Sequence, residues 1–189
     1  GYVTPEMFGA KGDGMTDDTI AVQTALDRKG VVVFDPDSNY LITTSIEVRS
    51  NTFVIGNNAK ITTNDSICMV SVKDSVNVII TDLNVVNVKS DAAINYAYCL
   101  RIAGSQNVTI DNVKVGNTYS DGIYIGYTWS SIGMFETKNI VVRNCTVDDA
   151  GRNSVTISSG INVLIENCLF TGANYADPKA GIDFECENG

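Results

Sequence analysis

Histidine is absent from this 189-residue sequence, proline occurs three times and tryptophan once. Without histidine, Ser-His and Cys-His nucleophile pairs cannot form within the segment, nor can any step that needs a histidine general base. The commonest ligand for zinc is missing as well, and the five cysteines (Cys68, Cys99, Cys145, Cys168 and Cys186) show no CxxC spacing, so no structural metal is expected. Positive charge is scarce: 13 Lys and Arg stand against 22 Asp and Glu, a formal net charge of −9. No stretch concentrates Lys and Arg, which argues against nucleic acid or an anionic membrane as partner. No apolar run reaches the ~18 residues of a membrane span, and Gly1-Tyr2-Val3-Thr4-Pro5 lacks the features of a signal peptide, so a soluble chain is expected. Carboxylates, tyrosine, lysine and arginine are left to carry any chemistry.

Valine, isoleucine, threonine and asparagine crowd the sequence, while helix-favouring runs of leucine and alanine are few. This composition points to an all-β domain of strands joined by tight polar turns. Four segments superpose without gaps: NVIITDLNV from Asn77, NVTIDNVKV from Asn107, NIVVRNCTV from Asn139 and NVLIENCLF from Asn162. Their starts lie 30, 32 and 23 residues apart, so the segments keep their internal spacing while the connections vary, as in a solenoid.

Within each segment the second, fourth, seventh and ninth places are filled by inward-type residues, as in Val78, Ile80, Leu83 and Val85. Spacing of two, broken by one polar place and then resumed, describes two strands meeting at a corner with apolar side chains inward on both. The corner residue is Asp82, Asn112, Asn144 and Asn167 in turn, types that tolerate bent backbone and can ladder between coils. A second series, CLRI, GIYI, SVTI and GIDF, ending at Ile102, Ile125, Ile157 and Phe184, supplies another strand per coil. About three short strands per coil, each pairing with its counterpart one turn on, make a parallel β-helix. Cys145 and Cys168 fall at inward places and read as small core hydrophobes.

Ahead of the coils, residues 1–30 are expected to form an entrance unit, with 31–189 as coils expected to continue past the end of the chain. GAKGDGMTDDTIAVQTALDRKG, from Gly9 to Gly30, places a glycine-rich turn before one short capping helix. Thr16 to Asp18 offer its N-cap, and Val22, Ala25 and Leu26 form the apolar face that seals the tube. Capping and turn formation account for Asp13, Asp17 and Asp18, which are therefore left out of the candidate site.

The GDGMTDDT turn followed by the AVQTALD helix, together with the NVxIxN coils, resembles the pectate-lyase-like right-handed parallel β-helix superfamily. VTPEMFGAKGDG looks most like its phage tail members. The resemblance spans essentially the whole chain. It implies an extracellular or virion location and a polysaccharide ligand, without fixing the reaction, because the superfamily holds hydrolases, lyases, epimerases and plain scaffolds.

Aligning the second series puts Arg101, Tyr124, Thr156 and Asp183 at one outward place, with Ala103, Gly126, Ser158 and Glu185 two residues on. Such a column is either a ledge for a sugar chain or an ordinary solvated face. In GIDFECE, Asp183, Glu185 and Glu187 share the outward face while Ile182, Phe184 and Cys186 point to the core. The three carboxylates can supply an acid and a base, bind a divalent cation, or form an unoccupied acidic surface. GIDFE looks like a motif of sugar-acting superfamily members, and the resemblance assigns catalysis to Asp183 and Glu185. Cys186 where relatives would have proline, and the lack of histidine, count against an epimerase or a His-dependent lyase.

Arg152 could hold a sugar carboxylate or pair with the adjacent Asp148 and Asp149. Asp121 holds a similar place one coil earlier, and Tyr124, Tyr127 and Trp129 gather nearby, with the last two in a long connection suited to sugar stacking. Taken together, the expectation is a carboxylate-based glycoside hydrolase of the depolymerase type, with no cofactor. The alternatives are a non-catalytic carbohydrate-binding or structural tail protein and a polysaccharide lyase. An open last coil makes the segment dependent on further chain or on self-association, of which a homotrimer is one form.

Overall fold

The computed structural model describes residues 1–88, 96–130 and 133–185. Among these residues the chain winds into a right-handed parallel β-helix with three faces. The first sheet stacks Tyr2–Val3, Gly30–Val33, Thr52–Ile55, Val76–Thr81, Gln106–Asp111, Lys138–Arg143 and Ile161–Glu166. The second stacks Asp13–Asp17, Asn39–Leu41, Lys60–Thr63, Asn84–Asn87, Lys114–Gly116, Thr146–Ala150 and Leu169–Ala173. The third runs through Ile46–Glu47, Val70–Lys73, Leu100–Ala103, Ile123–Gly126, Val155–Ile157 and Ile182–Phe184. A small antiparallel hairpin, Thr128–Ser130 with Gly133–Phe135, stands off the third sheet.

Inward spacing sets the register. Val78 pairs with Val108, Val108 with Ile140 and Ile140 with Val163, so like side chains stack coil upon coil. Val78, Ile80, Leu83 and Val85 are all buried, and the equivalents in the next two repeats are too, including Cys145. In the fourth repeat Val163, Ile165, Cys168 and Phe170 are only partly buried. Phe170 does lie beside Val147 as the spacing requires, but its coil has a neighbour on one side only. For the same reason Ile182 and Phe184, expected in the core, are 38% and 70% exposed. Cys68, Cys99, Cys145 and Cys168 are free thiols, and burial pushes Cys145 up to about 12.

The corner residues Asp82, Asn112, Asn144 and Asn167 all adopt left-handed backbone, with φ between 52° and 56°. Their side-chain ladder is incomplete. Asn112 donates to Asp82 at 2.6 Å, whereas Asn144 donates to Asp111 at 2.8 Å, where Arg143 also binds. The unbroken ladder is at the start of the repeats, a corner that sequence reading treated only as a segment boundary. Asn77 donates to Asn51, Asn107 to Asn77, Asn139 to Asn107 and Asn162 to Asn139, at 3.0 to 3.2 Å. These five asparagines are also left-handed, a conformation that asparagine tolerates better than most residues.

The helix Thr19–Asp27 closes the entrance with Val22, Ala25 and Leu26 buried. Its N-cap is Asp18, within the expected Thr16 to Asp18 stretch, although the Asp18 side chain makes no hydrogen bond to the helix. The Asp18 carboxylate turns back to accept the N–H groups of Lys11 and Gly12, at 2.7 and 2.9 Å, and so fixes the glycine turn. Asp17 instead receives the first helical N–H, from Thr19 at 3.0 Å. Strands of the entrance segment already belong to the sheets, since Tyr2 pairs with Val31 and Asp13 with Asn39.

Candidate functional site

Alternation along the third sheet puts Arg101, Tyr124, Thr156 and Asp183 in one outward column, each paired in register with the next. Two residues on, Ala103 pairs with Gly126. The phenol of Tyr124 leans across to Ser158, with 2.7 Å between hydroxyl oxygens. Its ring stacks on Tyr98, centroids 4.7 Å apart and planes 17° from parallel. Burial, with Tyr124 and Asp121 adding to it, lifts the Tyr98 phenol well above its ordinary pKa, so it remains a neutral hydrogen-bonding group.

At the top of the column Arg152 is gripped from two sides. Asp121, with no exposed surface, takes Nε and Nη2 at 2.8 Å each. Glu185 takes Nη1 at 2.7 Å and Nη2 at 3.2 Å. Such two-point pairs fix the guanidinium plane, and Asp121 foremost raises its pKa further. The expected pairing of Arg152 with Asp148 and Asp149 does not occur. Those carboxylates accept instead from Thr171 and Asn174 of the next coil, because parallel stacking brings next-coil groups into reach that sequence neighbours cannot match.

Asp183 is half-buried and its Oδ2 accepts from the Asn153 amide at 3.1 Å. The same amide reaches Thr156 Oγ1 at 3.1 Å, which leaves Thr156 with no exposed surface. Asp121 and Thr156 therefore stand behind the wall and position Arg152, Asn153 and Asp183; expected as ligand contacts, they do not reach the surface. Glu185 keeps 37% of its side chain exposed. Glu187 lies outside the described residues.

Two adjoining hollows make one groove along this face. One, of about 180 Å³, lies among Tyr96, Tyr98, Tyr124, Arg152, Ser158 and Glu185. The other, of about 280 Å³, lies among Lys73, Tyr96, Arg101, Tyr124, Tyr127 and Trp129. Tyr127 and Trp129 meet edge to face at 5.8 Å, and Trp129 is 68% exposed. Sequence reading found Tyr124, Tyr127, Trp129, Arg152 and Glu185, and the groove brings them together. It missed Tyr98, Asn153 and Lys73; strand alternation gives no signal for Tyr98, since a place two residues before the buried Leu100 reads inward.

The chain is 26% identical over 203 aligned positions to the pre-neck appendage protein of Bacillus phage B103, covering 94% of this chain and 23% of that one. It is 51% identical over 45 residues to depolymerase 1, capsule KN3-specific, of Klebsiella phage KN3-1, covering 21% of this chain and 6% of that one. The N-terminal fragment of gene product 12 of bacteriophage Phi29 shares the fold, with a TM-score of 0.76 at 21% identity over 90% of this chain and 33% of that one. The chain spans less than a quarter of the length of the curated relatives it matches. The family model described as rhamnogalacturonase A/epimerase, pectate lyase-like, matches residues 6–185. With the coils, the helix cap and the groove-bearing sheet in that span, this chain belongs to the rhamnogalacturonase A/epimerase, pectate lyase-like family.

Proposed function

We propose that this chain is the glycan-handling part of a phage tail depolymerase, and that its groove holds and hydrolyses an extracellular polysaccharide. The observation that carries the proposal is a groove walled by Tyr98 and Tyr124 with Glu185, held by Arg152, at one end, while Asp183, held by Asn153, stands on the same sheet in register with Thr156. Tyrosine faces and hydroxyls suit the apolar and polar surfaces of sugar rings. Residues two apart on a strand lie roughly 6.5 to 7 Å apart at Cα on one face of the sheet, so two carboxyl groups can flank one glycosidic bond. Glu185, held by Arg152 with part of its side chain exposed, supplies one of the two carboxyl groups. Asp183, held through one oxygen by the Asn153 amide, supplies the second carboxyl group that such a reaction needs. The names of the KN3-1 depolymerase and the B103 appendage protein support a capsule-like substrate and a virion location.

The two-point Arg152–Glu185 pair favours a second reading, a binding scaffold without catalysis, because it occupies the carboxylate the reaction would use. Incubating the purified chain with a panel of capsular polysaccharides separates the cases. Hydrolysis releases reducing ends without ultraviolet-absorbing unsaturated ends. Unsaturated ends would identify a lyase, and binding without either product would leave the scaffold.

A further inference from the structure

Arg101 stands apart from the other arginines. Arg49, Arg143 and Arg152 each face a carboxylate, and Arg28 lies over the Phe8 ring. Among the described residues no carboxylate lies within ion-pair distance of Arg101, and its Nε is buried without an acceptor. A buried donor without a partner is costly, and more so on a charged group. The guanidinium lines the larger hollow together with Lys73, whose side chain is 44% exposed and whose ammonium lies 4.0 Å from Asp74, at the limit of pairing. Asp74 is itself engaged by the hydroxyl of Thr128, which ties the Trp129 hairpin down beside the hollow.

We infer that this hollow is a subsite for a sugar bearing a carboxylate, which Arg101 and Lys73 hold while Tyr124 and Trp129 pack against the ring. The inference rests on the proposed function and adds a position to it. Arg101 is three register steps from Asp183, through Tyr124 and Thr156. Three coils amount to roughly 14 Å along the axis, the span of a short oligosaccharide. The groove is thus polar along its length, cationic at one end and carboxylate-bearing at the other. An acidic residue of the repeating unit seated at Arg101 sets both the direction of the glycan and the bond presented to Asp183 and Glu185.

The test measures binding of the purified chain to a panel of uronate-containing capsular polysaccharides, to the carboxyl-reduced form of each, and to neutral dextran. The expected result is that carboxyl reduction weakens binding at least tenfold. Arg101→Gln should weaken binding of the acidic polymer by a similar factor, Lys73→Gln should weaken it several-fold, and neither should alter binding of the reduced polymer. An Arg101→Gln loss that is equal for acidic and reduced polymers would mean the residue is structural, and would overturn the subsite. If Arg101→Gln fails to fold, exposed Lys73 carries the same comparison. Binding confined to neutral or sulfated polymers overturns the subsite alone, whereas no binding to any polysaccharide overturns the proposed function and the subsite with it.

Discussion

The hydroxyl of Tyr124 occupies the place that a side chain on Gly126 would need: a Cβ built there would lie 2.5 Å from the phenolic oxygen and 2.5 Å from Ser158 Oγ. Gly126 sits in ordinary strand backbone, so alanine is tolerated by the chain but forces the ring to move. Gly126→Ala should leave the fold intact and weaken glycan binding by about tenfold, as Tyr124 loses its stack on Tyr98. Titration against a polysaccharide that the wild type binds, alongside a melting curve, checks both halves. Unchanged affinity would remove Tyr124 from the groove's working surface.

Asp183→Asn and Glu185→Gln keep shape while removing proton chemistry. Each should lower release of reducing ends by roughly 10² or more, with circular dichroism unchanged. Affinity for uncleaved polymer should persist in Asp183→Asn. Single amides with full activity would leave the groove a binding surface.

Stability should depend on place along the stack. Ile110 is fully buried in mid-stack, and Ile110→Ala should cost about 2 to 5 kcal/mol. Phe170→Ala removes a larger but only partly buried side chain, and should cost about 1 to 2 kcal/mol, since less area returns to water. Denaturant midpoints of the two variants decide it. A Phe170 loss at least as large as that of Ile110 would mean the last coil is better covered than its side chains indicate.

Acid should expose the Asp111 cluster. The Asn144 amide, and then the Arg143 guanidinium, hold Asp111 below the ordinary aspartate value. A carboxyl depressed in the folded state contributes stability in full above its unfolded pKa of about 3.9, and loses it as pH falls through the lower folded value. Asp111→Asn should therefore be less stable than wild type at pH 6 and approach it below pH 3, followed by thermal melting across that range. A gap between the two that is constant with pH would show that the carboxylate charge plays no part.

The coils were legible because burial imposes a period. Val78, Ile80, Leu83 and Val85 announce two strands and a corner, and the shared parity of GIYI, SVTI and GIDF places Tyr124, Thr156 and Asp183 in register. What stayed hidden was decided between coils. Arg152 lies beside Asp148 and Asp149 in sequence yet binds Asp121 and Glu185, 31 and 33 residues away. The ladder from Asn51 to Asn162 depends on side-chain direction at left-handed corners, which residue spacing does not encode. Outward parity likewise said nothing about what would lie over Thr156, and Asn153 and Arg152 cover it.

The entrance of the tube is plugged by the Thr19–Asp27 helix, whereas Val163, Ile165, Ile182 and Phe184 line an opening of about 460 Å³ at the other end of the described chain. In a stack held together by contacts between neighbours, opening begins where a turn has the fewest of them and moves inward one rung at a time. Among the described residues, the rung with a neighbour on one side only bears Asp183 and Glu185. Whatever clamps that rung also clamps the acids. A glycan bridging it to Arg101 would act as a splint across three rungs, so that holding the ligand and holding the acids in register become the same event.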